Sequence, residues 1–267
     1  MNILFCSLIR SKEPYLADWY NNVRGIKSLQ PYWNFNVSLY ENDSEDNSVP
    51  LINSFDWSWC DWFKLNSEKR DREYYILTER RRIERLASYR NMCIWQFGDL
   101  DSIDRIIMND VDCSFDPKEA SEVIEESLNW DVYSFASRDV DTGDEMYDRW
   151  ATRRASHDTW WDNEPYQKEG SNPVWTTGNG FVCYNPEPFR RGFTFGYVNN
   201  RHSFINKEAN LKSHDVENAV VCENFRNVGF DRIGFDGRYN TVHSRDAKWY
   251  EEFKNTTGKD FDPEKHA

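Results

Sequence analysis

Apolar and polar positions follow two rhythms along the first half of the chain. Asn2–Ile9 is a short apolar run and predicts a strand. Pro14 then opens a segment in which Leu16, Trp19, Tyr20, Val23 and Ile26 recur at helical spacing. Proline is tolerated there because the first helical turn has no use for its missing N–H. Phe35–Tyr40 predicts a second strand, ended by the polar cluster Glu41–Ser48. Glu79–Phe97 predicts a long helix with Ile83, Leu86, Ala87 and Ile94 on one stripe. Asp104–Met108 is a third strand, and Asp116 with Pro117 caps a helix bearing Ala120, Val123, Ile124 and Leu128. Val132–Ala136 is a fourth strand. This β-α-β rhythm predicts an α/β layer with a largely parallel sheet.

The second half is less regular. Ser137 to Pro173 is a polar and aromatic excursion carrying Trp150, Trp160 and Trp161. Val174–Tyr184 returns to strand character, interrupted by Gly178-Asn179-Gly180. His214–Gly229 predicts a helix with Asp215 as cap and Gly229 as stop. Phe230–Phe235 and Tyr239–His243 predict short strands, and the tail from Trp249 to Ala267 is charged. No internal repeat or linker divides the chain, so one composite domain is expected.

Composition narrows the function classes. The 267 residues carry 46 acidic and 33 basic side chains, a net charge of −13, which opposes general nucleic-acid binding. An aromatic share of 16% excludes disorder as the global state and leaves rings for stacking on sugars or bases. No run approaches the roughly 20 apolar residues of a membrane span. The opening Met1–Ile9 lacks a basic flank and a small-residue cleavage site, so it predicts a strand and not a signal peptide. Cys6, Cys60, Cys93, Cys113, Cys183 and Cys222 are scattered without a CxxC pair. Free thiols, a cytoplasmic location and no zinc site are the expectation.

The sharpest chemical signal is Arg105-Ile106-Ile107-Met108-Asn109-Asp110-Val111-Asp112. An apolar strand runs into two carboxylates spaced i, i+2, which an extended backbone puts on one side. In open α/β sheets, ligands bind beyond the carboxyl ends of strands. Paired carboxylates repel without a cation, and such hard oxygen ligands suit Mg²⁺ or Mn²⁺ bridging to a diphosphate. Arg90 shares the stripe of Ile83, Ala87 and Ile94, where an arginine needs an anion, either a phosphate or an internal carboxylate. Gly178-Asn179-Gly180 suggests a bulge or a close ligand approach. His243 ends a short strand, where a lone histidine is either a bystander or a ligand.

These residues resemble the fungal capsule-associated α-1,3-mannosyltransferase family, retaining nucleotide-sugar enzymes with a GT-A-like fold. The resemblance rests on Ser38-Leu39-Tyr40-Glu41-Asn42-Asp43-Ser44, Arg85-Leu86-Ala87-Ser88-Tyr89-Arg90-Asn91 and Met108-Asn109-Asp110-Val111-Asp112. It continues through Tyr147-Asp148-Arg149-Trp150, Gly178-Asn179-Gly180-Phe181, Pro186-Glu187-Pro188-Phe189 and Cys222-Glu223, in order. It implies one α/β domain over residues 1–250, with a mixed, mostly parallel sheet flanked by helices. A Rossmann-like nucleotide-sugar half (1–136) would precede an irregular acceptor half (137–250) and a charged tail (251–267).

The resemblance also implies roles. Asp110 and Asp112 correspond to the DxD pair, with Asp112 the direct metal ligand, Asp110 facing the donor ribose or the metal, and His243 completing the site. Arg85, Arg90 and Asn91 correspond to donor-binding residues, and Asn179, Asp148 and Glu223 to the lining of the donor-sugar and acceptor side. Family members commonly have an apolar residue where this chain has Asp112, so its aspartate strengthens the metal reading. The implied reaction moves a hexose, mannose favoured, from a nucleotide sugar, GDP-mannose favoured, to a glycan hydroxyl with Mn²⁺ or Mg²⁺ and retention. An inverting enzyme would need a carboxylate base, Glu223 or Asp148. Oligomeric state is left open. Two rivals stand beside this reading: a haloacid-dehalogenase-type phosphohydrolase, and a carbohydrate-binding module built on Trp57, Trp59, Trp62, Trp160 and Trp161.

Overall fold

Strand β1 (Asn2–Ile9) pairs in parallel with β2 (Asn34–Asn42), Asn2 opposite Asn34 and Ile9 opposite Glu41. On the other side of β1 lies β4 (Arg105–Asn109), also parallel, with Cys6 opposite Met108. Side chains alternate across a strand, so β1 feeds two cores. Ile3, Phe5 and Ile9 meet α1 (Glu13–Leu29) and α4 (Pro117–Glu126) on one face. Leu4 and Cys6 meet α3 (Arg80–Trp95) and α6 (Glu217–Asn227) on the other. Burial on both faces explains why β1 reads as an unbroken apolar run.

The structure is a computed structural model that describes residues 1–70, 80–139, 151–155, 168–178, 180–196 and 217–243. Asp148, Asn179, the predicted cap Asp215, Trp150, Trp160, Trp161 and the tail lie outside the described residues, as does the His243 side chain. Among the described residues the sheet has nine strands. Eight run in the order β3-β2-β1-β4-β8-β6-β9-β5, with β3 (Trp62–Glu68), β5 (Cys113–Ser114), β6 (Val132–Asp139), β8 (Phe181–Tyr184) and β9 (Ile233–His243). Strand β7 (Ser171–Pro173) pairs with β9 off that path. The first-half ladders are parallel, β8 is antiparallel to β4 and β6, and β9 returns parallel to β6. The fold is the expected α/β layer. Strand order reverses between β1 and β4, the switch point where such sheets open a crevice.

Asp116 caps α4 as anticipated, its Oδ1 accepting the N–H groups of Lys118 at 2.8 Å and Glu119 at 3.1 Å. Other details depart from the sequence pattern. Leu128 leaves the buried stripe because α4 ends at Glu126 and a tight turn follows. Only Phe181–Tyr184 of the expected Val174–Tyr184 strand is extended in the sheet. The two short strands expected near the end are one, β9, with Phe135 opposite Asp236 and Ala136 opposite Asn240, so residues 237–239 bulge out. Helices α2 (Ser48–Ser54) and α5 (Glu187–Arg190) and the edge strand β3 were not anticipated. The six cysteines are free thiols, and all but Cys60 are buried.

Candidate active site

Strand β4 ends in a tight turn that presents both aspartates beside the switch point. Asn109 is wholly buried; its Oδ1 accepts the Trp19 indole N–H at 2.8 Å and its Nδ2 donates to the Gly180 carbonyl at 3.0 Å. The same Gly180 carbonyl accepts the Asp110 backbone N–H at 2.8 Å, and the Cys113 N–H closes the turn on the Asp110 carbonyl at 2.9 Å. Gly180 is at φ 65°, a left-handed conformation that favours glycine. Backbone geometry therefore fixes where Asp110 and Asp112 project.

The protein brings its own cations to both carboxylates. Lys12, just after β1, places Nζ 2.6 Å from Asp112 Oδ2. Arg90 on α3 places Nη2 3.6 Å from Asp110 Oδ1 and Nε 3.2 Å from Glu217 Oε1. The anion that Arg90 requires is thus supplied internally by two carboxylates, with the Phe195 ring 5.9 Å from the guanidinium. Asp110 and Glu217 raise the Arg90 pKa against the opposing effect of its burial, which keeps the guanidinium charged. These cations offset the repulsion between the two aspartates.

Other anticipated residues have distinct places. Arg85 is half-buried on α3. Asn91 exchanges two hydrogen bonds with the Phe195 backbone, at 2.9 and 2.8 Å. Glu223 is buried on α6, where its Oε1 accepts the Trp175 indole N–H. The backbone of His243 lies opposite Cys113, next in sequence to Asp112. Asp110 and Asp112 offer carboxylate oxygens of the kind that suit a hard divalent cation. Among the described residues no group of three or more His, Cys, Asp or Glu gathers at a metal-sized centre.

Two residues at this site were missed. Glu217 opens α6, is almost fully buried, and leaves Oε2 without a hydrogen-bond partner among the described residues. The available signal was an acid at the start of the otherwise apolar Ala219-Val220-Val221-Cys222 stretch. Lys12 was missed because only the β1–β4 pairing sets the loop after β1 against the loop after β4. Among the described tryptophans of the binding-module rival, all partly buried, Trp57 stacks on Phe63 at 4.1 Å and Trp62 meets Phe97 edge-on at 5.0 Å. No helix among the described residues is long and apolar enough to cross a membrane.

The class is that of glycosyltransferases with a GT-A-like sheet, as the matching family model and solved structures show. Mannosyltransferase PcManGT from Pyrobaculum calidifontis, in complex with GDP-Man and Mn²⁺, matches with a TM-score of 0.55 at 8% identity, covering 95% of this chain and 59% of that one. The 1–349 portion of S. aureus TarS in complex with UDP matches with a TM-score of 0.54 at 13% identity, covering 95% and 64%. The chain thus spans 59% and 64% of the lengths of these two structures. Within the class, the chain belongs to the family described as Cryptococcal mannosyltransferase 1, whose model matches residues 2–223. No curated protein matches it in sequence.

Proposed function

We propose that this protein transfers mannose from GDP-mannose to a glycan hydroxyl, with retention and with Mn²⁺ or Mg²⁺ held by Asp110, Asp112 and His243. The observation that carries the reading is the Asp110–Asp112 turn at the β1–β4 switch point of a GT-A-like sheet. Family membership and the structural likeness to a mannosyltransferase bound to GDP-Man and Mn²⁺ support the donor and the metal. The metal, when bound, neutralises charge on the departing diphosphate. Arg90 holds Asp110 and Glu217 in place, and Glu217 Oε2, which has no partner among the described residues, is suited to accept a hydroxyl proton of the donor sugar. With retention, the acceptor proton passes to a phosphate oxygen of the leaving group, so no base on the opposite face is needed. Arg85, Asn91, Asn179, Asp148 and Glu223 complete the donor and acceptor lining in this reading. Residues 1–136 form its nucleotide-sugar half and 137–250 its acceptor half.

A thermal-shift series with GDP-mannose and UDP-sugars, with and without Mn²⁺, tests the proposal. GDP-mannose with Mn²⁺ should give the largest stabilisation, and transfer to a glycan should follow mannose alone. Asp112→Ala should abolish the metal-dependent shift while its own melting temperature stays within about 3 °C, since the residue is partly exposed. Normal donor binding by that variant would sink the metal assignment.

A further inference from the structure

Of the two cations at the aspartate pair, one is fixed and one sits at the rim. Arg90 is buried and shared between Asp110 and Glu217, so it cannot leave without stranding two charges. Lys12 differs in every respect. It stands just before α1, with its backbone N–H held by Ser48 Oγ at 2.9 Å. Its side chain and that of Asp112 are 22% and 20% exposed. A lysine is a compact charge on a flexible stem, so its head moves without disturbing its anchored backbone. The Tyr15 ring lies 5.7 Å from Nζ, a cation–π contact in the same partly buried setting.

A divalent ion and an ammonium held on one carboxylate repel each other, so each weakens the other's hold on Asp112. Lys12 Nζ stands 2.6 Å from Asp112 Oδ2, and a divalent ion would bind the same carboxylate at roughly 2.0–2.6 Å. We propose that Lys12 is the resident counter-ion of Asp112 and competes directly with the divalent cation for that carboxylate. Lys12 therefore sets the metal concentration at which the site loads. This inference rests on the reading of Asp112 as a metal ligand.

Binding of Mn²⁺ alone, followed by the electron paramagnetic resonance of the free ion, tests it on the full chain without nucleotide. Lys12→Met should bind Mn²⁺ about fivefold more tightly than the parent, the scale of losing a partly exposed ion pair. Lys12→Gln serves the same purpose if the methionine variant folds poorly. Lys118→Met removes an equal charge from the exposed start of α4 and should change the affinity less than twofold. Asp112→Asn should remove the site. Equal affinity in Lys12→Met and the parent overturns the competition; if Asp112→Asn still abolishes binding, the metal assignment stands without it. An equal gain in Lys118→Met also overturns the proposal, because the effect would then be a general field. No binding by any variant removes the metal assignment and the proposal together.

Discussion

Arg90 illustrates what a single side chain reveals and conceals. Its place on the apolar stripe of α3 makes a buried counter-charge obligatory, and that much is legible in the sequence. Which charge answers it is not, because Glu217 lies 127 positions away. Truncation to Arg90→Met leaves Asp110 and Glu217 without their cation, and breaking a buried pair on one side costs about 3–5 kcal/mol. Urea unfolding should show that loss in Arg90→Met. The double variant Arg90→Met/Glu217→Leu should recover more than half of it, since the stranded buried charge is gone. Additive losses would mean that the two residues do not act as a pair.

At the scale of elements, legibility follows burial. Strands β1, β2 and β4 pack on both faces and announce themselves as apolar runs, while β3 lies at the sheet edge and is mostly half-buried, so its Trp62-Phe63-Lys64-Leu65 has no clean period. The aspartate pair is legible because an apolar strand ends in it. Lys12 and the Gly180 carbonyl are not, because strand order alone brings them to that end. The Gly180 turn is the element on which Asp110 depends. A Cβ at its φ of 65° is strained, so Gly180→Ala should cost about 1–2 kcal/mol. Because the Gly180 carbonyl positions both Asn109 and Asp110, donor affinity should fall further than the loss of folded protein explains. Calorimetry and donor titration on one sample measure both.

For the whole molecule, the buried thiols make stability a function of alkalinity. Burial pushes Cys183 and Cys222 up to about 12 and holds Cys6 well above the ordinary thiol value. In the unfolded chain these groups ionise near pH 8.5. Above that pH the unfolded state binds fewer protons than the folded one, so stability falls as pH rises toward 12. Each thiol contributes about 1.4 kcal/mol per pH unit in that window. Urea midpoints should be flat near pH 7 and drop steeply between pH 9 and 11, with a shallower slope in Cys222→Ala. A constant midpoint would mean that these thiols titrate freely in the native protein. Helix α3 has a consequence at this scale too. Through Asn91 it clasps Phe195 and through Arg90 it clasps Glu217, so a single helix is the common mooring of two stretches that lie more than a hundred positions away from it in the chain.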